Sequence, residues 1–424
     1  MNRFFLHLFL VCAMMISARL GAGERFIEAV EEQERGSYWA HWCEWLGDNP
    51  GRLYRDKGNP WIQSFEIGGR INYQFARVEG TDVNGLDFDD NFDEFRRLRL
   101  ETETRFLQFF TADANLNFVD DERFRRNIDG ELNFGDVSFD RLSLEFDIHK
   151  AFEIGWLDDF TVKGGRQRIG FTEEGHMSSR EIHTIERSSL ADMFSGEESR
   201  PTGILFELEK GDWELSLGAF SAEGDADVFN DWSEGSFYYG SLEWRPNREF
   251  KLVLDYVHND RSESVFVTGS EDALGFGWAG AISAVYETNR WGVILTGAYG
   301  DNGGDEIEVL PDRQGDFYGF VATSWYWLLK DRLQLVAQYQ FAQSEEPQGL
   351  QLRSRYLRGN HDNPLVDDDN GRGDRHSFIY GGLNFYPCHE NMRILAGVSY
   401  DDLSTRGGGS LEALTYALAF QTYF

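Results

Sequence analysis

Apolar and polar side chains alternate with a period of two along most of this chain. In the final segment, one face carries Leu414, Tyr416, Leu418, Phe420, Thr422 and Phe424. The intervening positions are small or polar for most of its length. Because successive side chains of a β-strand point to opposite faces, this pattern predicts a strand with one apolar face. The same alternation occurs in residues 65–76, 97–106 and 141–149, where the second face is charged.

The alternation predicts sixteen strands. They lie at about 65–77, 95–107, 109–119, 138–150, 159–168, 202–209, 213–221, 236–245, 249–259, 276–288, 290–300, 315–328, 332–343, 374–387, 391–402 and 411–424. Most are close to the roughly 9–11 residues that a tilted strand needs to cross a bilayer, and an even number suits a closed antiparallel barrel. The predicted fold class is therefore all-β, a transmembrane antiparallel β-barrel of about 16 strands.

Short turns and long polar connections follow one another along these strands. The long connections are 78–94, 120–137, 169–201, 222–235, 260–275, 301–314 and 344–373. Outer-membrane barrels have tight periplasmic turns and long external loops, whereas a soluble sandwich has no reason for this asymmetry. A secreted soluble all-β protein stays open as the alternative, with its apolar faces packed between two sheets. A barrel of 16–18 strands leaves a water-filled lumen, so the membrane interpretation also predicts a channel.

The chain divides into three predicted parts. Residues 1–22 begin with a positive charge, continue with an apolar run and end in small residues, which is typical of an export signal. Residues 23–60 form a segment that is predicted to be partly helical and periplasmic. Residues 61–424 are predicted to form the barrel, with both ends on the periplasmic side because the number of strands is even.

Helical spacing in the second part supports this division. Trp39, Trp42, Cys43 and Leu46 recur at intervals that place them along one side of a helix. The segment is predicted to cover the periplasmic rim or to enter the lumen. Cys388 lies in a predicted turn on the same side, and exported proteins meet an oxidising compartment, so a Cys43–Cys388 disulfide is a hypothesis that the sequence allows.

Composition excludes two large classes of protein. The chain has 73 acidic and 40 basic residues, with a formal net charge of −33. Phosphate binding needs clustered Lys and Arg, so nucleic acid is not an expected partner. The one long apolar run is at the extreme N-terminus, which argues against a bundle of transmembrane helices.

The long segment 169–201 is the candidate for catalysis, because it contains the chain's cluster of histidines and serines. These are His176, Ser178, Ser179 and His183. A barrel hydrolase would use one of the histidines with a loop serine, but the segment has no glycine elbow or oxyanion-donor motif beside them. We therefore expect no enzyme activity, no catalytic residues, no metal site and no cofactor. A hydrolase and a non-conducting adhesin or structural barrel stay as alternatives.

Basic residues are predicted to line the lumen on neighbouring strands. By parity, those that point inward are Arg70, Arg97, Arg99, Arg105, Arg141 and Lys163. Arg166 and Arg168 end the next strand, and the acidic segment 169–201 brings Glu186 and Arg187 opposite them. Two interpretations stay open. The charges form a constriction that selects ions, or the arginines pair with Glu101, Glu103 and Glu145 in a cross-strand lattice.

Motifs around the same segment resemble a known family. Gly164–Phe171, Ile185–Ser188 and Arg200–Gly203 resemble the phosphate-selective porin O and P family. The resemblance implies a sixteen-stranded outer-membrane porin, usually a homotrimer, in which an inward loop forms the constriction. A weaker similarity links the chain to alginate-export type barrels.

The predicted function is a passive diffusion channel in the outer membrane of a Gram-negative-type bacterium. Its expected partners are outer-membrane lipid and small polar or charged solutes, with inorganic anions such as phosphate as candidates. The strong negative charge, including Glu197 and Glu198 just before Arg200, works against drawing anions to the mouth. A cation-preferring general porin and an alginate-export-like channel are therefore kept as alternatives.

Overall fold

The structure is a computed structural model. It describes residues 38–48, 50–119, 134–195, 200–222, 232, 235–261, 276–302, 312, 314–351, 355–358, 372–406 and 408–424. The predicted signal peptide and the first part of the predicted periplasmic segment lie outside the described residues.

Sixteen antiparallel strands close into a barrel, which confirms the predicted fold class. They are β1 Ile62–Thr81, β2 Asp87–Phe106, β3 Phe110–Val119, β4 Phe134–Asp147, β5 Asp159–Arg166, β6 Thr202–Lys210, β7 Trp213–Ser221, β8 Gly235–Trp244, β9 Phe250–Arg261, β10 Trp278–Glu287, β11 Trp291–Asp301, β12 Asp316–Leu329, β13 Leu333–Ser344, β14 Arg375–Phe385, β15 Met392–Ser404 and β16 Ser410–Tyr423. Each pairs with its neighbours in chain order, and β16 pairs with β1 to close the barrel.

The two faces of the strands differ as the alternation predicted. In β6, Ile204 and Phe206 are 47% and 42% exposed, whereas Leu205 between them is 7% exposed. Exposed apolar side chains recur on the outer face of the other strands, among them Leu217, Leu295 and Ile379. Soluble monomers rarely expose apolar surfaces of this extent, so the outer face suits lipid rather than water.

The predicted long loop 78–94 is wrong. β1 continues to Thr81 and β2 begins at Asp87, so only a short turn separates them. In this stretch Asp87, Asp89 and Asp93 of β2 are exposed, while Phe88 faces inward and packs with Val78 in a buried apolar cluster. The run of acidic residues predicts a polar loop when the sequence is considered alone. The hairpin extends instead, because the barrel interior buries the inward apolar residues.

The end of β4 also differs from the prediction. The strand stops at Asp147, and a short helix, Ile148–Phe152, follows it in place of the predicted strand to residue 150. The Asp147 side chain caps this helix by accepting a hydrogen bond from the Lys150 amide at 2.8 Å. An N-terminal cap of this kind satisfies a helix amide that would otherwise lack an acceptor.

The N-terminal helix, Tyr38–Gly47, is attached to the turn region between β14 and β15. A Cys43–Cys388 disulfide joins them with the Cα atoms 4.9 Å apart, which confirms that hypothesis. The Asn391 side chain also donates to the Leu46 carbonyl at 3.2 Å. A short strand, Arg52–Arg55, then pairs with β1 and leads into the barrel. None of the helices in the described part of the chain is long and apolar enough to span a membrane.

Candidate functional site

A long connection between β5 and β6 folds into the barrel. We call residues 167–201, without the undescribed 196–199, the inner loop. It contains two short helices, Glu173–His176 and Ser189–Ser195. Its apolar side chains Ile169, Phe171 and Ile182 are at most 2% exposed, so they pack against the barrel wall rather than face solvent.

The first half of the inner loop is bound to β9 and β10. The Thr172 amide donates to Asp255 at 2.9 Å, and the His176 ring lies 2.9 Å from the other oxygen of the same carboxylate. The Glu173 amide donates to the Ser283 hydroxyl at 3.0 Å. These side chains point inward from neighbouring strands on the far wall, so they hold the loop away from its own strands.

The second half is bound further round the same wall. The fully buried Arg393 guanidinium of β15 donates to the carbonyls of Ser179 and Ile182 at 2.7 and 2.9 Å. Asn384 of β14 donates to the His183 carbonyl at 2.7 Å. Hydrogen bonds from charged donors are stronger than neutral ones, so Arg393 is the firmest of these anchors.

His183 shows how tightly this half is packed. Its ring stacks on Trp325 with centroids 3.9 Å apart and lies 3.3 Å from the Gln334 side-chain oxygen. Burial lowers the pKa of His183 to about 4, and the nearby Arg393 charge acts in the same direction. The neutral imidazole is therefore the form that fits this position.

Acidification should destabilise the folded state through His183. Its pKa is near 6.5 when unfolded, so the stabilisation is complete above that pH and is lost as the pH falls towards about 4. The loss amounts to at most about 3 kcal/mol. Thermal unfolding in detergent at pH 7.5 and pH 4.5 measures it, with His183→Gln as the control that cannot titrate. Equal losses in the two proteins would contradict the assignment.

Opposite the anchored loop, a cavity of about 900 Å³ lies along β1–β5. Four of the predicted pore-lining residues border it: Arg105, Arg141, Lys163 and Arg168. The first three also make ion pairs with neighbouring acids, namely Glu103 at 3.0 Å, Asp113 at 2.8 Å and Glu145 at 3.1 Å. Two of these ion pairs cross between strands and the Arg105–Glu103 pair lies within β2, so a lattice of paired charges is present and its residues border an open space.

Above this lattice, arginines from the wall and from the inner loop converge. Arg99 and Arg200 both bind the Asp140 carboxylate, at 2.7 and 3.1 Å. Arg70 binds Glu101 at 2.9 Å, and its guanidinium also donates to the Ser179 hydroxyl of the loop. Arg97 is 3% exposed beside them. Because this group joins β1, β2 and the loop, we call Arg70, Arg96, Arg97, Arg99 and Arg200 the arginine cluster.

The predicted pore-lining residue Glu186 binds Arg96, which strict alternation places on the wrong face of β2. Arg96 pairs with Glu186 at 3.1 Å, and Gln74 donates to the same carboxylate at 2.6 Å. Strict alternation puts Arg96 on the lipid face, since Arg97 faces inward. A β-bulge shifts the register there, so that both arginines are buried inside the barrel. A bulge inserts one residue and re-aims the side chains around it.

Asp140 is absent from the residues predicted to point inward for the same reason. A register shift between β3 and β4 lies at this residue: Asn115 pairs with Arg141, and Leu116 pairs with Phe139. Asp140 is therefore able to face inward beside Arg141. The signal that the sequence offers is a pair of adjacent charged residues inside an otherwise alternating strand, at Arg96-Arg97 and again at Asp140-Arg141.

Of the remaining predicted residues, Arg168 and Arg187 lie in the inner loop and Arg166 ends β5. Arg168 donates to the carbonyls of Gly175 and Met177, and Arg187 donates to those of Glu174 and Met177 at 2.8 and 2.9 Å. These two side chains stabilise the fold of the loop itself. Arg166, at the end of β5, is 6% exposed.

The histidines and serines proposed for hydrolysis bind separate partners. His176 contacts Asp255 and His183 contacts Gln334. Ser179 accepts from Arg70, and Ser178 accepts from the Arg180 amide at 3.3 Å. A serine nucleophile needs a histidine within hydrogen-bond reach, and these contacts fasten the loop instead.

Among the described residues, one group of possible metal ligands lies at the border of the first cavity. Asp147, His149 and Asp159 have ligand atoms within 4.8 Å of one another. Both oxygens of Asp147 are already used, by the amide and the ammonium group of Lys150. We assign no ion to this group.

Comparison with known proteins places these features in a wider context. The family model for phosphate-selective porin O and P matches residues 65–278, which is half of the chain. The chain has no match among the curated proteins with which it was compared.

Several solved structures have the same fold. The outer membrane channel DcaP of Acinetobacter baumannii has 12% identity and a TM-score of 0.55, covering 88% of this chain and 100% of that chain. An anion-selective porin from Comamonas acidovorans has 11% identity and a TM-score of 0.53, with coverages of 85% and 99%. OmpT of Vibrio cholerae in its trimer form has 10% identity and a TM-score of 0.50, again with 85% and 99%. At these identities the likeness establishes the fold.

Proposed function

The chain belongs to the phosphate-selective porin O and P family, and we propose that its arginine cluster makes it a channel that prefers small anions, such as inorganic phosphate. It is a porin of the Gram-negative outer membrane, through which small solutes pass by diffusion. Family and fold point to a channel rather than an enzyme. The anion preference is the step that the following observations support.

Unused hydrogen-bond donors beside the arginine cluster carry the proposal. Asn72 is fully buried, and neither its amide nitrogen nor its oxygen has a partner in the described part of the chain. The Nε atoms of Arg70 and Arg99 are also buried and have no hydrogen-bond partner in the described part of the chain. Asn72 pairs with Arg97 across the strands, and Arg70 pairs with Arg99, so these donors lie side by side. Buried donors without acceptors leave their positive ends unmatched, so the wall around this point favours a negative charge beside it.

Local charge, rather than the charge of the whole chain, decides this preference. The screening length is about 8 Å at physiological ionic strength, so exposed acidic groups farther away act weakly on an ion inside the barrel. The arginine cluster is enclosed by protein, where charges are screened much less. A net charge of −33 on the chain is therefore compatible with an anion-preferring constriction.

The reversal potential of the purified, refolded protein under a salt gradient tests the proposal. We expect the sign that corresponds to anion preference, because permeant ions pass next to the arginine cluster. The opposite sign would favour the cation-preferring general porin. Absence of conductance would favour the adhesin or hydrolase alternatives.

Three further assignments belong to the same proposal. The described part of the segment 23–60, residues 38–48 and 50–60, lies on the periplasmic side, because its helix is tied to the turn region that contains Cys388. The residues that border the β1–β5 cavity, together with the arginine cluster and Glu186, line the pore. The protein assembles as a homotrimer, which is supported by the family and by the trimer form of the OmpT neighbour.

A further inference from the structure

A second cavity, of about 730 Å³, lies between the inner loop and the ends of the strands on the far wall. Its lining carries seven carboxylates against three Lys or Arg side chains. The first cavity has the reverse balance, with six carboxylates against eight Lys or Arg side chains. The inner loop therefore borders two compartments of opposite charge, and we call this second one the acidic cavity.

Like charges face one another directly in the acidic cavity. Glu214 of β7 is the cross-strand partner of Glu243 of β8, and on its other side it pairs with Glu209 of β6. Carboxylates placed directly opposite each other in a sheet repel and destabilise the pairing. Arg245 offsets one of these charges by pairing with Glu243. Glu214 has no ion pair in the described part of the chain, so a cationic ligand would relieve the repulsion there.

Glu173 points into the same cavity from the inner loop. Its side chain is 5% exposed, and one oxygen binds the Lys251 ammonium group. The other oxygen, Oε2, is buried and has no hydrogen-bond partner in the described part of the chain. A half-satisfied buried carboxylate costs free energy, and it presents an acceptor to any cation that enters.

The spacing of the acidic groups indicates what kind of cation fits. Among the described residues, the only set of three or more ligand atoms within 4.8 Å is Asp147, His149 and Asp159, which lies outside the acidic cavity. The acidic side chains of this cavity are therefore spread along it rather than gathered around one point. A bare metal ion needs gathered oxygens, whereas an organic cation with two separated ammonium groups is able to contact carboxylates at two places.

We propose that the acidic cavity is a binding site for small organic dications, namely linear diamines, on the side of the inner loop opposite the anion path. Glu214 and the unsatisfied oxygen of Glu173 would accept hydrogen bonds from the two ammonium groups. The site goes beyond the proposed anion preference, since it uses other residues and another compartment.

Isothermal titration calorimetry on the folded protein in detergent tests the site, with 1,4-diaminobutane as the probe and 1-aminobutane as the single-charge comparison. The diamine should bind about tenfold more tightly than the monoamine, because its second charge meets a second carboxylate. In Glu214→Gln this advantage should be lost. The matched control is Glu103→Gln, the same change in the first cavity, which should keep it.

Each result has a defined meaning. No binding of the diamine, or equal affinity for the two amines, would overturn the proposal. It would also fail if Glu103→Gln weakened binding as much as Glu214→Gln, since that would indicate general attraction to a negative protein. The calorimetry does not depend on conduction, so the reversal potential decides the anion proposal separately.

Discussion

Replacing Arg99 by glutamine should lower the ratio of anion to cation permeability by about three- to tenfold. Arg99 and Arg200 share the Asp140 carboxylate, at 2.7 and 3.1 Å. Removing one positive charge leaves Asp140 with a single arginine and makes the local charge less positive. The reversal potential under a salt gradient measures the change.

A conservative variant separates charge from shape. Arg99→Lys keeps the positive charge beside Asp140, so its reversal potential should stay close to that of the unchanged protein. If Arg99→Lys and Arg99→Gln shift the potential equally, the effect comes from lost packing, and the arginine cluster does not set selectivity. The companion variant with Arg97 and Arg99 both replaced by glutamine should shift it further in the same direction.

Replacing Arg393 by methionine should release the inner loop and raise the single-channel conductance. Arg393 is 1% exposed and donates to the carbonyls of Ser179 and Ile182 as well as to Gln421. Methionine fills a similar space but leaves these acceptors without a donor, at a cost of about 3 kcal/mol. A loop that leaves the far wall widens the space available to ions.

The control for this variant lies on the surface, in the connection that follows the other end of β15. Arg406 pairs with Asp374 at 3.3 Å and is 58% exposed, so Arg406→Met should change neither conductance nor stability measurably. Retention of the folded band in unheated gels would show that the Arg393→Met barrel itself is intact. An intact barrel with unchanged conductance would mean that Arg393 does not hold the loop in the conducting state.

The strands were predictable because their signal is local. Along most of each strand, exposed apolar side chains alternate with side chains that face the interior, so β6 or β16 can be recognised from its own residues. The even strand number and the antiparallel order then follow from the connections. The Cys43–Cys388 pairing was allowed on the same basis, by counting which turns lie on the same side.

Strict alternation predicted the wrong side-chain direction where the strands are irregular. Arg96 and Asp140 lie at register shifts, and a shift depends on how one strand pairs with the next rather than on either strand alone. The predicted β1–β2 hairpin was too short for a related reason. Its acidic face resembles a loop until the buried cluster around Phe88 and Val78 is known.

The sequence by itself determined the barrel, its strand number and a set of basic residues predicted to face its interior, from which Arg96 was missing, since each depends on the period of two within single strands. Only the tertiary structure decided which of those residues meet. The inner loop is anchored to the far wall by contacts such as Arg393 to Ser179 and Asp255 to Thr172, which join residues more than eighty positions apart. No local pattern encodes such pairings, because they depend on the shape of the closed barrel. They place the arginine cluster against the inner loop and the acidic residues around the second cavity.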